Sequence, residues 1–105
     1  MKVSLSIGAY DRVDVLGMVE LIQRAEKLGV HYAWSAEAWG GDAVTSLAYL
    51  GALTDRIKLG TGIMQISART PSMTAMTAMS LANLTSGRFI LGLGVSGPQV
   101  VEGLH

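Results

Sequence analysis

The residues able to do chemistry are few, and most fall in three short stretches. The run from Ile57 to Pro71, I-K-L-G-T-G-I-M-Q-I-S-A-R-T-P, carries Gly60 and Gly62 among apolar residues and ends at a helix-start signal. Glycine weakens a strand, so it marks a bulge, a close backbone approach or relief of packing against a helix. In repeating strand–helix chains, ligands bind at the C-terminal strand ends. That rule places the expected function at Gly62, Ile63, Met64 and Gln65. Gln65, Ser67 and Thr70 are uncharged polar groups suited to hydrogen-bonding a neutral heterocycle. Arg69 stands just before a helix N-terminus, the wrong end of the macrodipole for a cation. It therefore suggests a salt bridge, an anionic ligand or a plain exposed loop position.

Glu37 is the only charge between Lys27 and Asp42. It falls at the C-terminal end of a predicted strand, flanked by Trp34 and Trp39. A carboxylate there, with a shifted pKa, is a candidate catalytic group acting as proton or hydrogen-bond partner. A solvated loop glutamate is the bland alternative. His31 lies at the opposite end of that strand, where residues mostly serve stability. Gly92, Gly94 and Gly97 spell G-x-G-x-x-G. As a dinucleotide fingerprint this is weak: it follows the fourth strand, Pro98 comes next, and no acidic ribose partner stands ~20 residues on. A close backbone approach to a ligand remains readable at Gly94, Ser96 and Gly97. No metal-ligand cluster is evident, and no serine or histidine arrangement suggests a nucleophile.

The elements that must position these residues follow from periodicity. Val3, Leu5 and Ile7 alternate with serines as in a strand. Asp14 reads as an N-cap for a helix with Val15, Val19, Ile22 and Ala25 on one side, and Gly29 as its closing glycine. Val30 to Glu37 reads as a second strand, and Asp42 caps a helix from Ala43 to about Thr54. Ile57 to Ile66 form the third strand. Thr70 and Pro71 open a helix running to about Ser86 and closed by Gly87. Arg88 to Gly94 form the fourth strand, with residues 95–105 trailing. The order β-α-β-α-β-α-β with short links predicts an α/β fold with parallel strands.

Net charge is zero, with eight basic and eight acidic residues, and no basic stripe appears, which argues against nucleic acid. No apolar run approaches the ~18 residues of a membrane span. The absence of cysteine fits a cytoplasmic protein. Charged residues make up 15% of the chain against a usual ~25%. No charge lies between Asp42 and Asp55, or between Arg69 and Arg88. Helices uncharged all round are usually buried, and so short a chain has too little other material to cover both. A second subunit over helices 43–54 and 71–86 is expected. Four strands and three helices are also half of an eight-stranded (β/α)8 TIM barrel, whose usual length is ~250 residues.

Three stretches resemble the N-terminal half of the bacterial luciferase-like monooxygenase family, most closely its members that use the deazaflavin coenzyme F-420. They are A-E-K-L-G-V-H-Y-A-W-S-A-E-A-W-G, D-R-I-K-L-G-T-G-I-M-Q-I-S-A-R-T-P and S-G-R-F-I-L-G-L-G-V-S-G-P-Q-V-V-E-G-L-H. The resemblance implies a barrel that binds flavin or deazaflavin at its C-terminal strand ends, and dimers joined through the second and third helices. It puts Gly62-Ile63 at a non-proline cis peptide whose bulge supports the ring. Glu37 falls at an acidic position beside the ring, and Gly94, Val95, Ser96 and Gly97 in a loop near ring or substrate. Ala38 stands where the family's sugar-phosphate dehydrogenases carry a catalytic histidine, so that chemistry is not implied. Strands five to eight, with the family's principal phosphate-binding region, have no counterpart. The expectation is a single half-barrel domain over residues 1–105, from an oxidoreductase using coenzyme F-420 or FMN for hydride transfer. A non-catalytic, self-associating half barrel, or two halves pairing into one barrel, is the alternative. A Rossmann-like dinucleotide binder comes third.

Overall fold

The computed structural model describes residues 1–7, 15–38 and 40–104. Residues 8–14, among them the expected N-cap Asp14, and Trp39 and His105 lie outside the described residues. Strands β1 (Ser4–Ile7), β2 (Tyr32–Ser35), β3 (Lys58–Thr61) and β5 (Phe89–Ile90) form one parallel sheet in the order β1-β2-β3-β5. Helices α1 (Val15–Lys27), α2 (Ala43–Ala52) and α3 (Pro71–Leu84) connect successive strands. The α/β class and the parallel, strand–helix order are as expected.

Strand alternation divides the sheet. Ile7, Ala33 and Leu59 face the helices and pack with Ile22, Leu47, Leu50 and Ile57 into one core. Full burial of an aliphatic side chain stabilises by about 1.5–3 kcal/mol, so this seven-residue cluster holds the helices on the sheet. The other face presents Ser4, Ser6, Tyr32, Trp34, Lys58 and Gly60. The Tyr32 and Trp34 rings stack there, with centroids 5.9 Å apart. Trp34 lies across Gly60, where a Cβ would stand 2.4 Å from the indole. The glycine exists for that ring.

The caps explain the helix limits. The Asp42 carboxylate accepts the Thr45 amide and the Thr70 hydroxyl accepts the Met73 amide, both as N-caps do. At the end of α1, Gly29 (φ 89°) turns left-handed, its amide donating to Glu26 and that of Val30 to Ala25. Helix α3 stops at Leu84, two residues short of expectation. The left-handed turn begins at Ser86 (φ 54°), with Gly87 donating back to Ala82.

Two polar fasteners pin the N-terminal end of the sheet. Glu26 Oε2 accepts the amides of Asp55, Arg56 and Ile57 at 2.9, 2.6 and 2.8 Å. Arg88 makes five bonds, to the carbonyls of Thr85, Ile57, Gly51 and Thr54 and to the Thr54 hydroxyl. Burial pushes the Glu26 carboxyl up, but the three amides and the Arg56 charge together bring it below its ordinary value.

The third and fourth strands are not continuous, contrary to expectation. Each breaks and resumes: β4 (Met64–Gln65) pairs in parallel with β6 (Leu93–Gly94) as a separate two-stranded sheet. The cause lies at Thr61 and Gly92. The Thr61 hydroxyl donates to the Gly92 carbonyl at 2.8 Å and accepts the Gly92 amide at 2.9 Å, so a side chain takes the place of main-chain pairing. A Cβ on Gly92 would meet the Thr61 carbonyl oxygen at 2.1 Å, so only glycine permits the approach. A helix over the trailing residues, α4 (Pro98–Leu104), was also not expected. The Gly97 carbonyl accepts the amides of Val100 and Val101, and Pro98 opens the helix where an amide would have no partner.

The uncharged helices leave apolar side chains in solvent. Met76 is 60% and Met79 72% exposed on α3, and Tyr49 on α2 is 46% exposed. No helix among the described residues is long and apolar enough to cross a membrane.

Candidate functional site

At the C-terminal end of the strands, three residues distant in sequence converge. Glu37 follows β2, Gln65 ends β4, and Arg69 follows the 3-10 turn Ile66–Ala68. The Arg69 guanidinium grips the Glu37 carboxylate two-pronged, Nη1 to Oε1 at 2.6 Å and Nη2 to Oε2 at 3.1 Å. Each oxygen accepts one backbone amide more, Gln65 on Oε1 and Ala43 on Oε2, both at 2.8 Å. One carboxylate thus ties together the top of β2, the end of β4 and the first turn of α2. The salt bridge suggested by the placement of Arg69 is real.

The electrostatics follow. Burial pushes the Glu37 carboxyl up, while Arg69 and the two amides hold it down and prevail, leaving it below its ordinary value. The bond to Glu37 raises Arg69 against the cost of burial. The shift therefore comes from a cation and amides, and Trp34 is engaged with Gly60 instead. Held ionised and accepting four bonds, Glu37 has the geometry of a hydrogen-bond partner. To take a proton it would have to release Arg69.

Gln65 is 2% exposed. Its Nε2 donates to the carbonyls of Glu37 and Ala38, each at 3.4 Å, and its Oε1 has no partner among the described residues. A buried acceptor left alone costs about 1–3 kcal/mol, so this oxygen marks a place where a donor from outside the chain would be welcome. A cavity of about 280 Å³ adjoins, bordered by Gln65, Arg69, Ala38, Gly40 and Gly41.

The other expected residues form a second group. The Gly62-Ile63 peptide is cis, where the family resemblance placed it. The Gly62 amide donates to the Ser35 carbonyl at 2.7 Å and that of Met64 to Gly92 at 2.8 Å. Met64 is fully buried, and Ile63 lies against Gly94, where a Cβ would stand 2.9 Å from its Cδ1. Met64, Gln65 and Gly94 thus share the small β4–β6 sheet, with Gly62 and Ile63 in the bend that leads into it. Ser96 (φ 66°) and Gly97 lie beyond it, leading into α4, and no hydrogen bond among the described residues links them to Glu37. Sequence reasoning missed Thr61 as the residue that redirects both strands; a threonine one step before Gly62 was its only signal. His31 is exposed at the far end of the sheet, its Nδ1 accepting the Val3 amide.

A sequence profile described as Luciferase-like monooxygenase matches residues 6–105. The chain belongs to that family. It is 50% identical over 105 residues to a Mycobacterium tuberculosis protein whose name gives it as a coenzyme F-420-dependent oxidoreductase, covering 100% of this chain and 30% of that one. It superposes with a TM-score of 0.86 and 26% identity on the coenzyme F-420-dependent tetrahydromethanopterin reductase of Methanopyrus kandleri, covering 98% of this chain and 29% of that one. The oxygenating constituent of 3,6-diketocamphane monooxygenase from Pseudomonas putida, solved with FMN, shares the fold with a TM-score of 0.85 at 18% identity, over 98% and 32% of the two chains. The chain thus spans about a third of the length of these relatives, in keeping with half of a TIM barrel.

Proposed function

We propose that this chain supplies the cofactor-facing N-terminal half of a flavin- or deazaflavin-dependent oxidoreductase, with hydride transfer at the C-terminal strand ends. The observation that carries the reading is the buried Oε1 of Gln65 at the tip of β4, which has no partner among the described residues. The pyrimidine edge of an isoalloxazine-type ring presents one N–H between two carbonyls, and an isolated carboxamide oxygen is a fitting acceptor for it. The close contact of Ile63 with Gly94 makes an apolar shelf beside it. The bound ring would supply the redox chemistry, and the protein its position. Coenzyme F-420 is preferred over FMN because the 50% identical relative is named for it.

The residues divide by role. Gln65 orients the ring edge, while Gly62, Ile63, Met64 and Gly94 shape the surface behind it, with Ser96 and Gly97 on the adjoining loop. Glu37 acts as a positioning residue: it fixes the Gln65 backbone and Arg69 together. Titration of the purified chain with coenzyme F-420 and with FMN, read by fluorescence quenching, tests this. Micromolar affinity that weakens at least tenfold in Gln65→Leu is expected from loss of one well-placed hydrogen bond in a buried site, at about 1.4 kcal/mol per tenfold. Absence of quenching by either cofactor overturns the reading for this chain.

A second reading rests on the exposed apolar faces of α2 and α3, where Tyr49, Met73, Met76 and Met79 stand in solvent. Self-association through helices 43–54 and 71–86 would cover them. Pairing of two half barrels would instead close the sheet edges, which a lone sheet leaves unpaired. A monodisperse monomer by light scattering at micromolar concentration would count against both.

A further inference from the structure

The end of the sheet opposite the candidate site holds a second cavity, of about 380 Å³. Its wall includes Lys2, Lys27, Arg56 and Lys58, four of the eight lysines and arginines in a chain with no net charge. The sole carboxylate in the wall is Glu26, and its Oε2 is already held by three backbone amides. The only salt bridge among the described residues joins Arg69 to Glu37; none of these four cations forms one, although the Arg56 charge acts on Glu26 from a distance. The helix macrodipole accounts for Lys27, in the last turn of α1. It does not account for Lys2, Arg56 or Lys58.

The remaining polar groups in the wall are donors too. Tyr32 and Lys58 are register partners, so their side chains leave the same face of the sheet. Lys2 Nζ lies 3.5 Å from the Tyr32 hydroxyl and 5.9 Å from its ring, on that same face. His31 Nδ1 accepts the Val3 amide at 3.4 Å, which leaves the neutral imidazole with its proton on Nε2 as a donor. Ammonium groups, a guanidinium fork, an imidazole N–H and a phenol therefore surround one concavity. Such a wall repels metal cations and gives an apolar ligand nothing to replace its lost polar hydration. The charges gather in one hollow instead of running along a stripe, which separates a compact anion from a nucleic acid backbone.

We propose that this cavity binds a compact oxyanion of two or more charges, of the phosphate or pyrophosphate class. The Arg56 guanidinium suits two oxygens at once, and the lysines neutralise the remaining charge. Anion binding makes charge-assisted hydrogen bonds to these groups and stabilises the fold by mass action. The site is independent of the one proposed at the strand tops, at the other end of β2 and β3.

The test is calorimetric titration and thermal unfolding of the full chain with sodium pyrophosphate, at ionic strength fixed with sodium chloride. Saturable binding with a matching rise in Tm is expected. Arg56→Gln and Lys58→Gln should each weaken it about tenfold, the loss of one charge-assisted hydrogen bond. Lys58→Arg, which keeps the charge, should retain binding within about threefold, and so should Arg24→Gln, an exposed cation outside the cavity. Adenosine diphosphate binding tenfold tighter than pyrophosphate identifies a nucleotide as the source of the phosphates, and equal binding a free phosphate. An equal Tm rise in sodium chloride alone, or a pyrophosphate response unchanged in both glutamine variants, means general screening and overturns the proposal. A glutamate-rich peptide binding more tightly than pyrophosphate overturns it in favour of an acidic protein segment.

Discussion

Each end of the sheet is fastened by a carboxylate that gathers backbone amides, and the two fastenings differ in what they leave over. At the N-terminal end, Glu26 serves three consecutive amides of one turn, and Arg88 spends five bonds on the ends of α2 and α3 and the start of β3. At the C-terminal end, Glu37 gathers amides from two separate elements and requires Arg69 from a third. There one buried acceptor, Gln65 Oε1, is left without a donor among the described residues. A fastening made for stability alone satisfies its own polar groups, because an orphaned buried group costs free energy. An unmatched acceptor at the ligand-binding end of a parallel sheet therefore distinguishes a site from a clamp.

The comparison breaks most visibly at Arg88. Arg88→Met keeps much of the side-chain volume and orphans the carbonyls of Gly51, Thr54 and Ile57, so unfolding in urea should show a loss of about 3–4 kcal/mol. Arg69→Met should cost less, about 2 kcal/mol, because this pair retains some solvent contact. Much of that loss is the penalty on the Glu37 charge left behind. The double variant Glu37→Gln with Arg69→Met should accordingly recover about 1 kcal/mol relative to additivity. Strict additivity would show that the two side chains act independently.

Acid titration separates the ends further. Glu26 and Glu37 both lie below their ordinary value of 4.5 in the folded protein. Below that value the unfolded chain binds more protons than the folded one, so stability is full above it and is lost as pH falls through the folded values. In Arg69→Met, burial acts on Glu37 without its cation, and the protonated form becomes the easier one to bury. The deficit of that variant relative to the parent should therefore shrink between pH 7 and pH 4. Glu26→Gln retains an acceptor oxygen and should cost only about 1 kcal/mol at pH 7. It should also flatten the acid limb, as followed by circular dichroism.

What the sequence disclosed, and what it withheld, tracks the range of the interactions. Asp42 and Thr70 were legible as N-caps because a cap bonds three residues away, and the buried sides carrying Ile7 and Ile22 followed from period alone. Arg69 was only partly legible: its place before a helix start suggested a salt bridge or an anionic ligand, beside a plain exposed position. The breaks in the third and fourth strands were not legible. The apolar run continues unbroken through Ile63 and Met64, and the interruption comes from Thr61 reaching Gly92, a contact 31 residues apart. Arg88 read as the first residue of a strand for the same reason: its partners belong to elements much earlier in the chain. Gln65 was legible as a polar group at a strand end, but its unmatched oxygen depends on which carbonyls its amide nitrogen meets.

Gln65→Leu should have the smallest effect on stability and the largest consequence for the distinction between clamp and site. The substitution removes two long hydrogen bonds from Nε2, each 3.4 Å, and removes with them a buried oxygen that has no partner among the described residues. Those changes oppose one another, so urea unfolding should place the variant within about 1 kcal/mol of the parent. The Gln65 backbone amide still reaches Glu37, so the carboxylate and its grip on Arg69 remain in place. Were Gln65 part of a clamp like Arg88, its loss would appear in stability with nothing to see in cofactor titration. As part of a site, its loss appears in the titration with stability nearly unchanged. The pair of measurements on one variant decides which end of the sheet Gln65 resembles.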